Sequence, residues 1–266
     1  MDCTMTNTGS KDQFERRARA HIEEALPHGS VYEKQKLLED WLDKEHAAED
    51  IVIDFKKRVG NPSGKCILDL GFGNGITLVT FAKAGAEMHG VEVSKDLYDI
   101  ATEYVTAHGV PADLHLYNGI TFPFTNATFD HIYSVSVLEH VSDPVAVLRE
   151  AARVLKPGGT FYLAFPNRFN PKETHTGVWF LSYLSCDAAQ TILRLLGHNS
   201  IPDWNLHFLS YFWLRTLLRK NAINLHIRFE AEHGTGLKRP IKRFLAALGI
   251  HHSAVLPHVM VILEKK

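Results

Sequence analysis

Apolar residues recur at helical spacing from about Lys11 to Val59, as at Leu37, Leu38, Trp41 and Leu42, with charges interleaved between them. This pattern predicts helices. Gly60-Asn61-Pro62-Ser63-Gly64 then punctuates the chain. After it the period changes. Cys66–Leu70 is a short apolar run of the kind a buried parallel strand shows. A glycine-rich turn and a helical stretch, Ile76–Ala84, follow it. Met88–Val93 reads as a second strand, and Ser94 is the N-cap of a helix through His108. Ala112–Tyr117 and Phe129–Ser134 are the third and fourth strands. Asp143-Pro144 opens a helix as N-cap and first residue, running to Leu155. Pro157-Gly158-Gly159 turns into a fifth strand, Thr160–Phe165.

The alternation breaks between Pro166 and about Asn205, which holds a largely apolar stretch, Val178–Leu196. Ser210 caps a helix ending at Asn221. Leu225–Ala231 reads as a sixth strand and Val259–Leu263 as a seventh. Strands alternating with helices define an α/β fold with a doubly wound, parallel sheet. The expected organisation is a helical cover over residues 1–63 and a main domain over 64–266, with an insertion at 171–205.

Composition narrows the function classes. The chain of 266 residues carries 29 basic and 30 acidic residues, for a net charge of -1. That excludes a bulk electrostatic grip on nucleic acid. The charge is uneven, since residues 206–266 hold 10 basic and 3 acidic groups. No apolar run reaches the roughly 20 residues that cross a bilayer, and the polar start lacks a secretory apolar region. Cys3, Cys66 and Cys186 fit neither a disulfide framework nor a CxxC metal motif. These features predict a cytoplasmic protein. Cys66 and Cys186 read as buried thiols.

Candidate chemistry centres on Asp69-Leu70-Gly71-Phe72-Gly73-Asn74-Gly75, where the first strand gives way to a helix. Glycines there let a ligand approach the main chain closely. The third glycine follows the second by two positions, so the dinucleotide fingerprint fits poorly. Asp69 would repel a pyrophosphate and attract a cation. Glu92, at the end of the second strand, stands where a carboxylate accepts hydrogen bonds from ribose hydroxyls. The pocket suits a ribose-bearing ligand with positive charge and no phosphate.

The chain resembles the class I S-adenosylmethionine-dependent methyltransferases. Asp69–Gly75 matches the family's first motif and Glu92 its ribose-binding acid. Asn118-Gly119-Ile120 stands where the family frames the adenine, with Asn118 in place of the usual Asp. Ser136-Val137-Leu138-Glu139-His140 and Leu155–Gly159 match later motifs. The resemblance implies a Rossmann-like, seven-stranded, mostly parallel sheet whose last strand is antiparallel. It implies S-adenosylmethionine as cofactor and S-adenosylhomocysteine as product. The cofactor residues it implies are Asp69, Gly71, Gly73, Gly75, Glu92, Asn118, Gly119, Ile120 and Ser136.

The run Val137–Pro144 is similar to the ubiquinone- and menaquinone-biosynthesis type. Ser136 stands where some of that group carry a second Glu with a metal role, so no metal is expected here. Glu139, His140 and His175 are the candidate catalytic residues, and His207 is a further candidate base. The expected reaction is O-methylation of a small or lipid-like, quinone-type acceptor. A soluble metabolite or sugar as acceptor, and a non-catalytic cofactor-binding module, are the alternatives. Two segments are candidates for peripheral membrane contact, the alternatives being packing against the sheet for the first and a solvated helix with its apolar side on the core for the second. One is the apolar insertion. The other is Lys238–Leu248, where Lys238, Arg239, Lys242 and Arg243 flank Ile241, Phe244 and Leu245.

Overall fold

In the computed structural model β1 (Cys66–Leu70) opens the sheet, four of its five residues fully buried. The structure describes residues 7–25, 31–42, 44–174, 176–196, 207–229 and 244–266. The seven strands follow the order β3-β2-β1-β4-β5-β7-β6. The contacts divide the chain into one unit over Met1–Asn118 and a second over Gly119–Lys266.

The first unit holds α1 (Asn7–Ala25), α2 (Val31–Leu42), α3 (Lys44–Arg58), β1, α4 (Ile76–Lys83), β2 (Glu87–Glu92), α5 (Lys95–His108) and β3 (Ala112–Leu116). β2 pairs in parallel with β1 and with β3. The N-terminal helices pack onto the helices of this βαβ array. Phe55 of α3 meets Phe81 of α4 edge to face at 5.0 Å, both rings fully buried. Phe14 of α1 meets Tyr104 of α5 at 4.7 Å. Ser94 caps α5 by accepting from the Leu97 N–H at 3.4 Å. Helix α1 begins at Asn7.

The second unit holds β4 (Phe129–Val135), α6 (Pro144–Val154), β5 (Leu155–Pro166), α7 (Cys186–Leu195), α8 (Tyr211–Lys220), β6 (His226–Arg228) and β7 (His258–Glu264). β4 and β5 are parallel, and β7 runs antiparallel to both β5 and β6, as the family resemblance implied. Asp143 caps α6 through hydrogen bonds from the Val145 and Ala146 N–H groups, both 3.0 Å. Strand β5 starts at Leu155 rather than Thr160. Leu155 already pairs with Phe129, and the Gly158 N–H reaches the Lys265 carbonyl at 2.8 Å. Two expectations fail here. Cys186 is exposed at the start of α7, and Cys66 is half-buried at the mouth of β1. Helical spacing placed Cys186 on an apolar stretch, but α7 buries Ala189 and Leu193, a different face. The basic residues of 238–243 lie outside the described residues.

Candidate functional site

The turn after β1 is built from backbone that only glycine adopts at low cost. Gly71, Gly73 and Gly75 have φ of 75°, 57° and 81°. A Cβ on Gly75 would lie 2.9 Å from Ala101 Cβ, so this glycine lets α4 approach α5. A Cβ on Gly73 would meet nothing within 4 Å. The two glycines thus differ: one serves packing, the other leaves space over the main chain.

Glu92 closes the same turn. Its Oε2 accepts from the Gly73 N–H at 3.0 Å, and its Oε1 from the Val93 and Ser94 N–H groups at 2.8 and 3.0 Å. A carboxylate offers about four acceptor sites, so capacity remains on Oε2. The side chain is buried and held before any ligand arrives.

Asp69 is 2% exposed, and its Oδ2 has no hydrogen-bond partner among the described residues. Burial, and then the charge of Glu92, push its carboxyl up to about 8. Burial and Glu92 also push the Tyr117 phenol up to about 12. Asn74 Oδ1 accepts from the Ile76 N–H at 3.3 Å, while its buried Nδ2 has no partner among the described residues. An unmatched acceptor and an unmatched donor beside an open glycine turn fit a zwitterionic, cationic ligand. The ammonium, carboxylate and sulfonium of S-adenosylmethionine have that character.

Asn118 and Ile120 are exposed in the loop after β3, and Gly119 between them has φ 79°. Ser136 follows β4 with φ 56°, a conformation non-glycine residues rarely hold, fixed by its N–H on the Ala164 carbonyl at 2.9 Å.

The second unit has its own cleft. Glu139, Pro166, Arg168, Glu173, His207 and Phe208 are among its walls, and its deep part admits one group of about water size. Glu139 sits on a 3₁₀ turn, Leu138–His140, and is 1% exposed. His140 is partly exposed, with Nε2 4.0 Å from Glu139 Oε1. His207 is stitched to this turn twice. Its N–H donates to the Glu139 carbonyl at 2.8 Å, and its Nε2 lies 3.0 Å from the Val141 carbonyl. A carbonyl can only accept, so Nε2 carries the proton and Nδ1 the lone pair. Glu173 is buried and takes the Thr176 N–H and hydroxyl at 2.6 and 2.7 Å. His175 lies outside the described residues. Glu139 and His207 are therefore brought together from positions far apart in sequence, which no local pattern reveals.

The chain matches the family described as "Methyltransferase domain" over residues 68–163. It is 30% identical over 180 residues to a ubiquinone biosynthesis O-methyltransferase of Xanthomonas campestris pv. campestris, covering 64% of this chain and 69% of that protein. It is 30% identical over 124 residues to the protein of that name from Xanthomonas axonopodis pv. citri, covering 46% of this chain and 52% of that one. The match therefore spans only about half the length of that relative. Among solved structures, the magnesium protoporphyrin IX methyltransferase from Synechocystis with bound SAH superposes with a TM-score of 0.54. It shares 15% identity over 98% of this chain and 96% of that one, which shows the fold alone.

Fold, motifs and relatives define the class: the chain belongs to the class I S-adenosylmethionine-dependent methyltransferases. Within that class the chain is similar in sequence to the ubiquinone biosynthesis O-methyltransferases.

Proposed function

We propose that this protein transfers the methyl group of S-adenosylmethionine to a hydroxyl oxygen of a small, lipid-like acceptor of quinone type. The observation that carries the reading is the pairing of functions in the chain: a glycine turn with a pre-held Glu92, and a narrow cleft lined by Glu139 and His207. The relatives' names support the acceptor class at 30% identity.

S-adenosylmethionine supplies an activated methyl on sulfur, and the protein must align the parts and exclude water. Gly71, Gly73 and Gly75 would shape the contact with the methionine and ribose. Glu92 would accept from the ribose hydroxyls, and Asp69 would face the cationic end. Asn118, Gly119 and Ile120 would frame the adenine side, and Ser136 would be a further cofactor residue. In the cleft, the Nδ1 lone pair of His207 would take the acceptor's hydroxyl proton as the oxygen attacks. Glu139 lines the same cleft and would orient the acceptor, with His140 beside it on the 3₁₀ turn as a further candidate base.

The surface of the insertion supports a lipid-like acceptor met at an anionic membrane face. Trp179, Phe180 and Tyr183 are exposed and contact each other in series, at 6.1 and 5.9 Å between ring centroids. Leu195 at the end of α7 and Leu196 just after it are exposed as well, with Lys172 and Arg194 exposed in the same segment. Aromatic and basic side chains together suit a lipid interface. No helix among the described residues is long and apolar enough to cross a membrane.

The test is incubation with methyl-labelled S-adenosylmethionine and a prenylated catechol, followed by phase separation. Label in the organic phase is expected. Label only in water-soluble products of a cell extract would replace the acceptor class, and no binding of S-adenosylmethionine by calorimetry would remove the reading altogether.

A further inference from the structure

A second cluster of chemistry-bearing side chains lies on one sheet face of the first unit, toward the starts of its strands. Cys66 and Glu87 are the first residues of β1 and β2 and are register partners. His89 lies two residues beyond Glu87, so it shares the same face. One ligand atom from each of Cys66, Glu87 and His89 lies within 4.8 Å of the other two. His89 Nε2 is 3.6 Å from Glu87 Oε1. On its other side, His89 Nδ1 is 3.2 Å from Oδ2 of Asp113, its register partner on β3. His115 Nε2 is 2.9 Å from that same oxygen.

The order of these contacts matters. Asp113 Oδ2, which His115 Nε2 also meets, accepts the N–H of His89 Nδ1. That leaves the lone pair on Nε2, the nitrogen beside Glu87. A carboxylate behind an imidazole whose far nitrogen faces a thiol and a second carboxylate is the arrangement of a metal-ligating histidine.

We infer that Cys66, Glu87 and His89 form a zinc site, with Asp113 and His115 as its supporting shell. The donor set of one sulfur, one nitrogen and one oxygen suits Zn²⁺ and not Mg²⁺ or Ca²⁺, which take oxygen. Binding releases the Cys66 thiol proton to solvent. Thiolate and carboxylate then balance the two positive charges. Tetrahedral zinc with these ligands sets donor atoms about 3.5 Å apart, so the cluster must tighten by about 1 Å. The Glu87 side chain is 73% exposed and can supply that movement. Three protein ligands leave a fourth position for water. The site sits at the amino ends of β1 and β2, whereas the glycine turn follows the carboxyl end of β1. The ion would therefore tie two strand starts together and leave the turn untouched. This inference stands apart from the methyl-transfer reading.

The experiment uses the full chain without an affinity tag, freed of metal by chelation. Zn²⁺ is titrated by calorimetry and Co²⁺ by absorbance. The expected result is one equivalent bound, with a thiolate-to-cobalt charge-transfer band. C66S should abolish the band, and H89Q should abolish tight binding should C66S fail to fold. D113N should weaken affinity about 10- to 100-fold, and C186S should change nothing. Absence of saturable binding, loss of the band in C186S, or unaltered affinity in both C66S and H89Q would overturn the site. S-adenosylmethionine binding measured on the same samples separates the two readings, because zinc bound without it would count against the methyltransferase assignment alone.

Discussion

His207 places its ring by donating Nε2–H to the Val141 carbonyl at 3.0 Å, across a sequence gap of 66 residues. The bond fixes both tautomer and ring direction, which a loop histidine otherwise leaves free. On the proposed reading, it presents a residue just ahead of α8 as the base. H207A should lower kcat about 10²- to 10⁴-fold, the usual worth of a positioned proton acceptor, with S-adenosylmethionine affinity retained. H207Q can restore the donor to Val141 but not the base. It should keep the wild-type melting temperature and still turn over slowly. Full kcat in H207Q would shift the role to His140 or to water.

Asp69 should couple proton release to donor binding. Its carboxyl sits at about 8 in the folded chain, against an ordinary 3.8, through burial first and Glu92 second. At pH 7 it is protonated. A cationic ligand favours the ionised form, so binding expels up to one proton. Affinity should rise with pH to about 8 and then level. The sign for folding is the reverse of a paired carboxylate. Folded Asp69 keeps a proton that the unfolded chain gives up, so its contribution to stability is complete below about 4 and falls as pH climbs toward 8. Calorimetry at pH 7 in two buffers of different ionisation heat should give different binding enthalpies. D69N should remove the difference, and equal enthalpies in the unaltered protein would refute the coupling.

The second and third glycines of the turn should respond differently to substitution. G75A places a methyl 2.9 Å from Ala101 Cβ on a backbone at φ 81°. It should destabilise the fold by about 1–3 kcal/mol, visible as a lower denaturation midpoint. Gly73 has open space above it, so G73R should fold with a smaller loss from its φ of 57° and lose S-adenosylmethionine binding. Unchanged binding in folded G73R would move the cofactor elsewhere.

Local chemistry was legible in the sequence, and cross-chain chemistry was not. Ser94, Asp143 and Ser210 cap the helices their positions predicted, because a cap acts on N–H groups two or three residues on. The glycine turn and Glu92 were readable because strand ends and spacing locate them. The bond between His207 and Val141 was not, since nothing near either residue encodes it. Nor was the meeting of Cys66, Glu87, His89 and Asp113, which needs the register of three strands. Cys186 misled for a related reason. Hydrophobic neighbours do not say which face of a helix the fold will bury, and α7 turns Cys186 outward.

The exposed aromatic series of the insertion gives the acceptor proposal its sharpest physical test. Trp179 is 63% and Phe180 59% exposed, and Leu195 is 81% exposed. Solvating such side chains is costly, and burying one in an interface is worth about 1.5–3 kcal/mol. Each should therefore contribute roughly tenfold or more to partitioning onto vesicles. W179A and F180A together should reduce co-sedimentation with phosphatidylglycerol-containing vesicles by about two orders of magnitude. Raising the salt should weaken the remaining binding, because Lys172 and Arg194 act through screened charge. Neither substitution touches the glycine turn, so S-adenosylmethionine affinity should hold. If vesicle binding is absent from the start while a prenylated acceptor is still methylated, the same rings serve the acceptor's apolar tail. In that case W179A and F180A should raise KM for long-tailed acceptors and leave short-tailed ones unaffected.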